Sequence, residues 1–123
     1  MMDARNRGDI DEAMAFAAPD IEFDLSASAG TFAGVYTGHE ALMRLWAAWS
    51  EVFSEMIWEA EEFIDAGDAV VVPVTFHARG RESGVETITR AVHVYWLRDD
   101  QVVRYRQLPS RAAAFEAAGL RLR

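Results

Sequence analysis

The order of its hydrophobic periodicities predicts that this chain is an α+β protein. Helical patterns occupy the first part of the sequence, a continuous run of strand patterns follows from Met56, and a short helical pattern comes last. Strands that follow one another with only short turns pair as an antiparallel meander. Helices that lie apart from such a sheet in sequence define the α+β class. A chain of 123 residues supports one hydrophobic core, so we expect a single domain over residues 1–123.

Two helices are predicted before the meander. Asp9 is placed to cap the first, with Glu12 three residues later as in a capping box, and Pro19-Asp20 is expected to end it. Residues 21–25 then alternate between apolar and polar, which is typical of a strand. The second and longest helix begins at Gly38, and its apolar residues recur at i, i+3, i+4 and i+7. This apolar stripe consists of Leu42, Leu45, Trp46, Trp49, Val52 and Phe53.

Turn residues delimit the strands of the meander. The breaks fall at Ala66-Gly67-Asp68, at 80–84 and at 98–101, where glycine, aspartate and serine favour turns. The predicted strands are about 56–64, 69–79, 86–98 and 101–108. Ser110 is then placed to cap a last helix over 111–118, with Gly119 at its C′ position.

The strand predicted at 86–98 is apolar on both faces. One face carries Ala91, His93, Tyr95 and Leu97, and the other carries Val92, Val94 and Trp96. Only one face can pack on the N-terminal helices, so the second needs another cover. We expect a homodimer through Val92, Val94 and Trp96. The alternatives are the last helix or a neighbouring loop of the same chain, or a different protein partner on that face.

Composition excludes several classes of function. The net charge of −8 argues against a nucleic-acid partner, which needs a clustered basic surface. All 12 basic residues are arginine, so lysine Schiff-base chemistry is excluded, and the absence of cysteine excludes disulfides and sulfur metal sites. Arginine in place of lysine, with frequent alanine, is typical of a GC-rich bacterial genome.

No membrane or export segment is expected. No apolar run approaches the roughly 20 residues that span a bilayer. The first residues also lack the apolar middle region and cleavage site of a signal peptide. The expected location is therefore the cytoplasm.

Several segments together resemble the SnoaL-like branch of the NTF2-like superfamily. They are Asn6-Arg7-Gly8-Asp9, Ala18-Pro19-Asp20-Ile21-Glu22-Phe23, Tyr36-Thr37-Gly38-His39-Glu40-Ala41-Leu42, Ala66-Gly67-Asp68-Ala69-Val70-Val71, Leu97-Arg98-Asp99-Asp100-Gln101-Val102-Val103-Arg104-Tyr105 and Ala117-Ala118-Gly119-Leu120. The resemblance implies a cone: a curved sheet wrapped around the N-terminal helices, with an apolar pocket between them.

One departure is the first helix, which in the family starts well upstream of Asn6 and carries a pocket tyrosine that would fall near Met1. Either this helix is short here or the native start lies upstream of Met1.

Proteins that share this fold include ketosteroid isomerase, limonene epoxide hydrolase, polyketide cyclases, dehydratases and non-enzymatic binding or dimerisation domains. Fold alone therefore leaves function open. The resemblance places Leu25 where the isomerase has its base, with Asp24 on the opposite face unless the loop after the strand is irregular. It places His93 at the position where the isomerase has its oxyanion donor and where cyclases have a histidine. It places Gln107 at the position where cyclases have an aspartate. Glutamine hydrogen-bonds but cannot act as a base. The Arg–Asp pair of the epoxide hydrolase is not reproduced at 90–92, which disfavours epoxide hydrolysis.

His93 is the one inward titratable group expected to titrate near neutrality. It is a candidate for ligand contact or acid–base chemistry, and the alternative is a structural histidine bonded to a neighbour. Tyr95 and Tyr105 share faces with His93 and Gln107, so the four can form a polar patch over an apolar floor, or the tyrosines can simply fill the core. Further candidate pocket residues are Trp46, Phe76, Leu25 and, as a gate or a turn residue, Tyr36.

Two hypotheses of function follow. The first is a cofactor-independent isomerase, cyclase or dehydratase that uses His93 and Gln107 on a small hydrophobic, carbonyl-containing molecule of polyketide or steroid type. The second is a non-catalytic module that binds a small ligand or dimerises. We expect no metal and no cofactor, because the three histidines, at 39, 77 and 93, are too dispersed for a metal triad and no phosphate-binding glycine loop is present.

Overall fold

A computed structural model describes residues 1–28 and 30–119 of the chain. The elements in order are α1 (Met2–Asn6), α2 (Ile10–Ala15), β1 (Ala17–Asp24), β2 (Val35–Thr37), α3 (Gly38–Val52), β3 (Phe53–Ala60), β4 (Ile64–Asp65), β5 (Ala69–Gly80), β6 (Glu86–Arg98), β7 (Gln101–Leu108) and α4 (Arg111–Ala117). The predicted α+β class is confirmed. Leu120, at the end of the last segment that resembles the family, lies outside the described residues.

The seven strands form one curved, unclosed sheet in the order β2-β1-β7-β6-β5-β3, with β4 also paired to β5. Strands β3, β5, β6 and β7 pair antiparallel, as the predicted meander requires. Strand β1 joins the sheet parallel to β7, beside the last strand of the meander. The N-terminal strand therefore lies next to residues that are far away in sequence.

The predicted end of the first full helix is wrong. Helix α2 stops at Ala15, and Ala17 already belongs to β1 because it pairs with Val102 of β7. The carbonyl of Phe16 accepts a hydrogen bond from the Val102 amide at 2.7 Å. Strand pairing across the fold thus ends this helix before Pro19 does.

The predicted strand at 56–64 is divided in two. Strand β3 begins at Phe53, directly where α3 ends, and runs to Ala60; β4 is a separate short strand at Ile64–Asp65. Between them the Glu61 amide still bonds to β5, by donating to the Pro73 carbonyl at 2.9 Å, and residues 61–63 have no ladder partner there. Local periodicity does not predict this break, because it depends on how β3 and β4 each pair with the same distant strand, β5.

Helix α3 packs on the concave face of the sheet, as its apolar stripe predicts. Leu42, Leu45, Trp46 and Trp49 are buried in one cluster with Ile21 and Phe23 of β1. Val52, at the end of the predicted stripe, is instead exposed. The core of the fold therefore lies between α3 and the concave face, and the candidate pocket lies at its margin.

Helix α4 covers the convex face of β5 and β6. Val92 and Val94 are only 6% and 0% exposed, and they pack with Leu108 and Ala114 while Trp96 is half-buried beside them. Ser110 caps α4 by accepting a hydrogen bond from the Ala113 amide at 3.1 Å. The last helix is therefore the cover that the sequence offered as an alternative to a second chain. The homodimer stays a prediction. Because α4 already covers Val92 and Val94, a second chain would have to bind the convex face beside α4 and not these residues themselves.

Helix α1, which periodicity does not predict, is hydrogen-bonded to strand β3 through the side chain of Asn6. The Asn6 amide donates to the Trp58 carbonyl at 2.8 Å and accepts from the Trp58 amide at 3.1 Å. Strand β3 lies at the edge of the sheet, so these two backbone groups face away from β5 and have no further strand to pair with. The Asn6 side chain supplies the hydrogen bonds that a neighbouring strand would otherwise make. In the described part of the chain, no helix is long and apolar enough to cross a membrane.

Candidate functional site

A cavity of ≈ 200 Å³ lies between the concave face of the sheet and the C-terminal half of α3. Its wall is mostly apolar and aromatic, with four polar residues among twelve. The lining residues are Leu25, Ser28, Phe32, Trp49, Phe53, Met56, Trp58, Phe76, Thr89, Ala91, His93 and Gln107. An apolar cavity with a few polar groups is the usual form of a small-molecule site.

A second, smaller pocket of ≈ 40 Å³ adjoins this cavity and shares Trp49, Trp58 and His93 with it. It lies under the N-terminal segment. Its other lining residues are Met1, Met2, Arg5, Phe23, Trp46, Tyr95 and Tyr105. We call the larger space the main cavity and the smaller one the deep pocket; His93 lies at the boundary between them.

His93 is held in place by strand pairing on both sides. In the register of the sheet it lies between Val72 of β5 and Gln107 of β7. Its side chain is 3% exposed, and its Nδ1 atom lies 3.1 Å from the Tyr95 hydroxyl. The Nε2 atom is buried and has no hydrogen-bond partner among the described residues. Burial lowers the pKa of His93 to about 3, so the ring is neutral at physiological pH.

Tyr95 and Tyr105 pack against His93. The Tyr105 ring centroid lies 4.9 Å from that of His93 and 5.2 Å from that of Tyr95. Burial raises the pKa of Tyr95, and burial together with the neighbouring Tyr95 raises the pKa of Tyr105, so both hydroxyls keep their protons. The Tyr105 hydroxyl lies 3.5 Å from the Gln107 Oε1 atom, at the limit of a hydrogen bond. The structure thus brings His93, Tyr95, Tyr105 and Gln107 together in one patch.

The other predicted pocket residues divide into three groups. Leu25 and Phe76 line the main cavity, and Trp46 lines the deep pocket. Tyr36 lines neither space, and its role as a ligand contact or gate stays a prediction. Its hydroxyl donates to the Phe32 carbonyl at 2.9 Å, so Tyr36 supports the loop that carries Phe32 into the cavity wall.

Asp24 faces away from the cavity, as strand alternation predicts. Its carboxylate accepts hydrogen bonds from the Ser26 amide and hydroxyl and lies 3.3 Å from the Arg106 guanidinium on the convex face. Burial disfavours the charged form, but the Ser26 hydrogen bonds and the Arg106 charge outweigh it, so the pKa of Asp24 is lowered. No acidic side chain of the described residues lines the main cavity or the deep pocket.

Sequence reasoning missed Trp58 and Arg5 as site residues. Trp58 could have been found, because Met56 and Trp58 share one face of an alternating strand and both line the main cavity. Arg5 carries no such signal, because its place depends on the contact between α1 and β3. In the described residues, no group of three or more histidine, aspartate or glutamate side chains is arranged to hold a metal ion.

Known structures share this architecture over nearly the whole chain. TerC, co-crystallised with polyporic acid, is 23% identical with a TM-score of 0.78, covering 96% of this chain and 92% of TerC. An NTF2-like protein of unknown function from Burkholderia pseudomallei is 22% identical with a TM-score of 0.77, covering 94% and 88%. A proposed SnoaL-like polyketide cyclase from Shewanella putrefaciens is 21% identical with a TM-score of 0.74, covering 87% and 82%.

At these identities the likeness to solved structures shows the NTF2-like fold alone. No curated protein matches the chain. The family described as the SnoaL-like domain matches residues 1–105, which is most of the sequence and includes every element from α1 to the Tyr105 region of β7. The chain therefore belongs to the SnoaL-like domain family.

Proposed function

We propose that the main cavity binds a small apolar molecule through a carbonyl oxygen, with His93 as the hydrogen-bond donor. The observation that carries this is the Nε2 atom of His93: the residue lines both the main cavity and the deep pocket, and this atom is buried without a partner among residues 1–28 and 30–119. A buried polar group without a partner costs about 1–3 kcal/mol. A ligand oxygen would remove that cost, and the aromatic wall would hold the ligand's apolar body.

The hydrogen-bond count supports Nε2 as a donor. Tyr95 keeps its proton, and its one hydrogen-bond contact within the described residues is the Nδ1 atom of His93. If the tyrosine donates to Nδ1, the histidine proton lies on Nε2, which leaves Nε2 as the donor available to a ligand. The opposite tautomer leaves both the tyrosine proton and Nε2 without partners, which doubles the number of unmet buried groups.

This arrangement suits polarisation of a carbonyl better than abstraction of a proton. A general base works best with a pKa near the operating pH, and burial holds the pKa of His93 at about 3. A neutral donor aimed at a developing oxyanion, in contrast, stabilises enol-like charge without itself changing protonation. If isomerase or cyclase chemistry occurs here, His93 supports the oxyanion, and a water molecule takes the proton that leaves the carbon next to the carbonyl and later returns it to the product.

The comparisons support a ligand of aromatic or polyketide type. The family is named for SnoaL-like proteins, the Shewanella protein is a proposed polyketide cyclase, and TerC was crystallised with polyporic acid. A non-catalytic binding protein is the second candidate. The wall without carboxylates favours it, because no side chain there combines proximity with the basicity that proton transfer needs.

Binding of a matched ligand pair tests the carbonyl contact. We expect 2-acetylnaphthalene to bind more tightly than 2-ethylnaphthalene, in which a methylene replaces the carbonyl. His93→Phe should weaken the ketone by about 2- to 10-fold, since a neutral hydrogen bond contributes about 0.5–1.5 kcal/mol, and should leave the hydrocarbon unchanged. Isothermal titration calorimetry measures both. The control is His77→Phe on the convex face, where His77 lies near Glu59. Equal affinity for the two ligands, or an equal effect of both variants, would contradict the proposal.

We further propose that two chains associate through the convex face beside α4. Ile57 and Ile88 are exposed there and flank His77 on neighbouring strands. Light scattering should give twice the chain mass of 13.8 kDa, and Ile88→Asp should give the single-chain mass, because a charge in an apolar contact is costly. A wild-type protein that is monomeric at high concentration would rule the dimer out.

A further inference from the structure

Arg5 of α1 lies between the indole rings of two tryptophans. Its guanidinium carbon is 5.3 Å from the ring centroid of Trp46 on α3 and 5.6 Å from that of Trp58 on β3. Cations are attracted to aromatic faces at this range, and the paired rings hold the guanidinium plane in one place. The Asn6 contact with the Trp58 backbone fixes α1, and therefore Arg5, against the sheet.

The charge of Arg5 has no counter-ion in the described part of the chain. Arg104 and Arg106 on the convex face each have a carboxylate, at 3.4 and 3.3 Å, whereas Arg5 forms no such pair. The Nε atoms of Arg5 and Arg104 are both buried without a hydrogen-bond partner, so only for Arg5 is there also no carboxylate nearby. Burial accordingly lowers the pKa of Arg5. A half-buried cation without a counter-ion is unfavourable, so an anionic group beside it would stabilise the site.

Arg5 lines the deep pocket together with His93, Tyr95 and Tyr105. Trp49, Trp58 and His93 also line the main cavity, so the two spaces are adjacent, and the inference below requires that a molecule in the main cavity extends one end towards Arg5. The donor side chains of Arg5, His93, Tyr95 and Tyr105 thus lie at the deep-pocket end, and no described residue adds a carboxylate to either lining. The complement of such a surface is a molecule with an apolar body and acceptor oxygens at one end.

We propose that Arg5 makes the site selective for apolar molecules that carry a carboxylate. This rests on the proposed function, since it needs a ligand in the main cavity. The planar fork of a guanidinium matches the two oxygens of a carboxylate, and such charge-assisted pairs are stronger than neutral hydrogen bonds. The two indoles restrict the guanidinium to the region beside the deep pocket, so the carboxylate binds there and the apolar body occupies the main cavity.

A ligand pair that differs only in charge tests this selectivity. Calorimetry on the wild-type chain compares 2-naphthoate with 2-naphthamide, which has the same shape and no charge. We expect the acid to bind about 10- to 100-fold more tightly, as for a hydrogen bond to a charged group. Arg5→Gln should abolish this preference by weakening the acid alone. Arg7→Gln, on an exposed arginine that pairs with Glu12, should leave it intact.

The outcomes separate this inference from the proposed function. If the acid and the amide bind equally well to wild type, selectivity for carboxylates is overturned while the cavity proposal stands. If no naphthalene ligand binds, including 2-acetylnaphthalene, both are overturned. If Arg5→Gln fails to fold, Arg5→Lys replaces it in the test, because lysine keeps the charge but lacks the planar fork of the guanidinium. We expect Arg5→Lys to retain a reduced preference for the acid. An unchanged or absent preference in that variant would contradict the bidentate contact.

Discussion

Acidification from pH 7.5 to pH 5 is expected to lower the free energy of unfolding by about 2 kcal/mol through His93 alone. An unfolded histidine takes up its proton near pH 6.5, whereas burial lowers the pKa of His93 in the folded chain to about 3. Between these values the unfolded chain binds a proton that the folded chain does not. Stability is therefore full above about pH 6.5 and falls by about 1.4 kcal/mol for each pH unit below it, until the folded state also protonates.

Urea unfolding at the two pH values measures this effect. His93→Gln removes the titrating ring, so its unfolding free energy should lose the part of the pH dependence that His93 contributes. His77→Gln, on the convex face, should keep it. The lowered pKa of Asp24 does not interfere, because its contribution is present above the unfolded value of about 3.9 and is lost only at lower pH. Identical pH profiles for wild type and His93→Gln would show that the ring is not buried as described.

Leu42→Ala is expected to lower the free energy of unfolding by about 2–5 kcal/mol. Leu42 is 0% exposed and lies in the cluster where α3 packs on the sheet. Truncation removes buried methyl groups and leaves a cavity that the surrounding aromatic side chains cannot fully close. Because alanine is a better helix former than leucine, the loss measures packing and not helix propensity.

The matched variant is Met43→Ala, one residue further along the same helix. Met43 is 50% exposed, and its truncation should change the free energy of unfolding by less than about 0.5 kcal/mol. Urea unfolding at one pH compares the two variants directly. Equal losses would mean that α3 does not present its apolar stripe to the sheet, contrary to the described packing.

The long strands and the longest helix could be predicted because their signals are local. Strands β6 and β7 have the predicted bounds, since alternation of side chains has a period of two and turn residues mark both ends. Errors arose where a distant partner decides the outcome. Helix α2 ends early because Ala17 pairs with Val102, and no pattern near Ala17 carries that information.

In the candidate site, too, the residues with a local signal could be predicted and those placed by distant contacts could not. Alternation by itself places His93 and Tyr95 on one face of β6 and Tyr105 and Gln107 on one face of β7, and the sheet register then brings them together. The direction of the Tyr36 side chain could not be predicted, because the three residues of β2 are too few to show alternation; only the hydrogen bond to Phe32 shows where the hydroxyl points.

Sequence by itself determined the fold class, the family and which strand faces carry the polar groups, because propensity, periodicity and turn chemistry act between near neighbours. Tertiary structure alone decided that α4 covers Val92 and Val94, that His93 is desolvated enough to stay neutral, and that Arg5 lies between Trp46 and Trp58. Burial and charge depend on which distant elements pack around a side chain, and that is a property of the assembled fold.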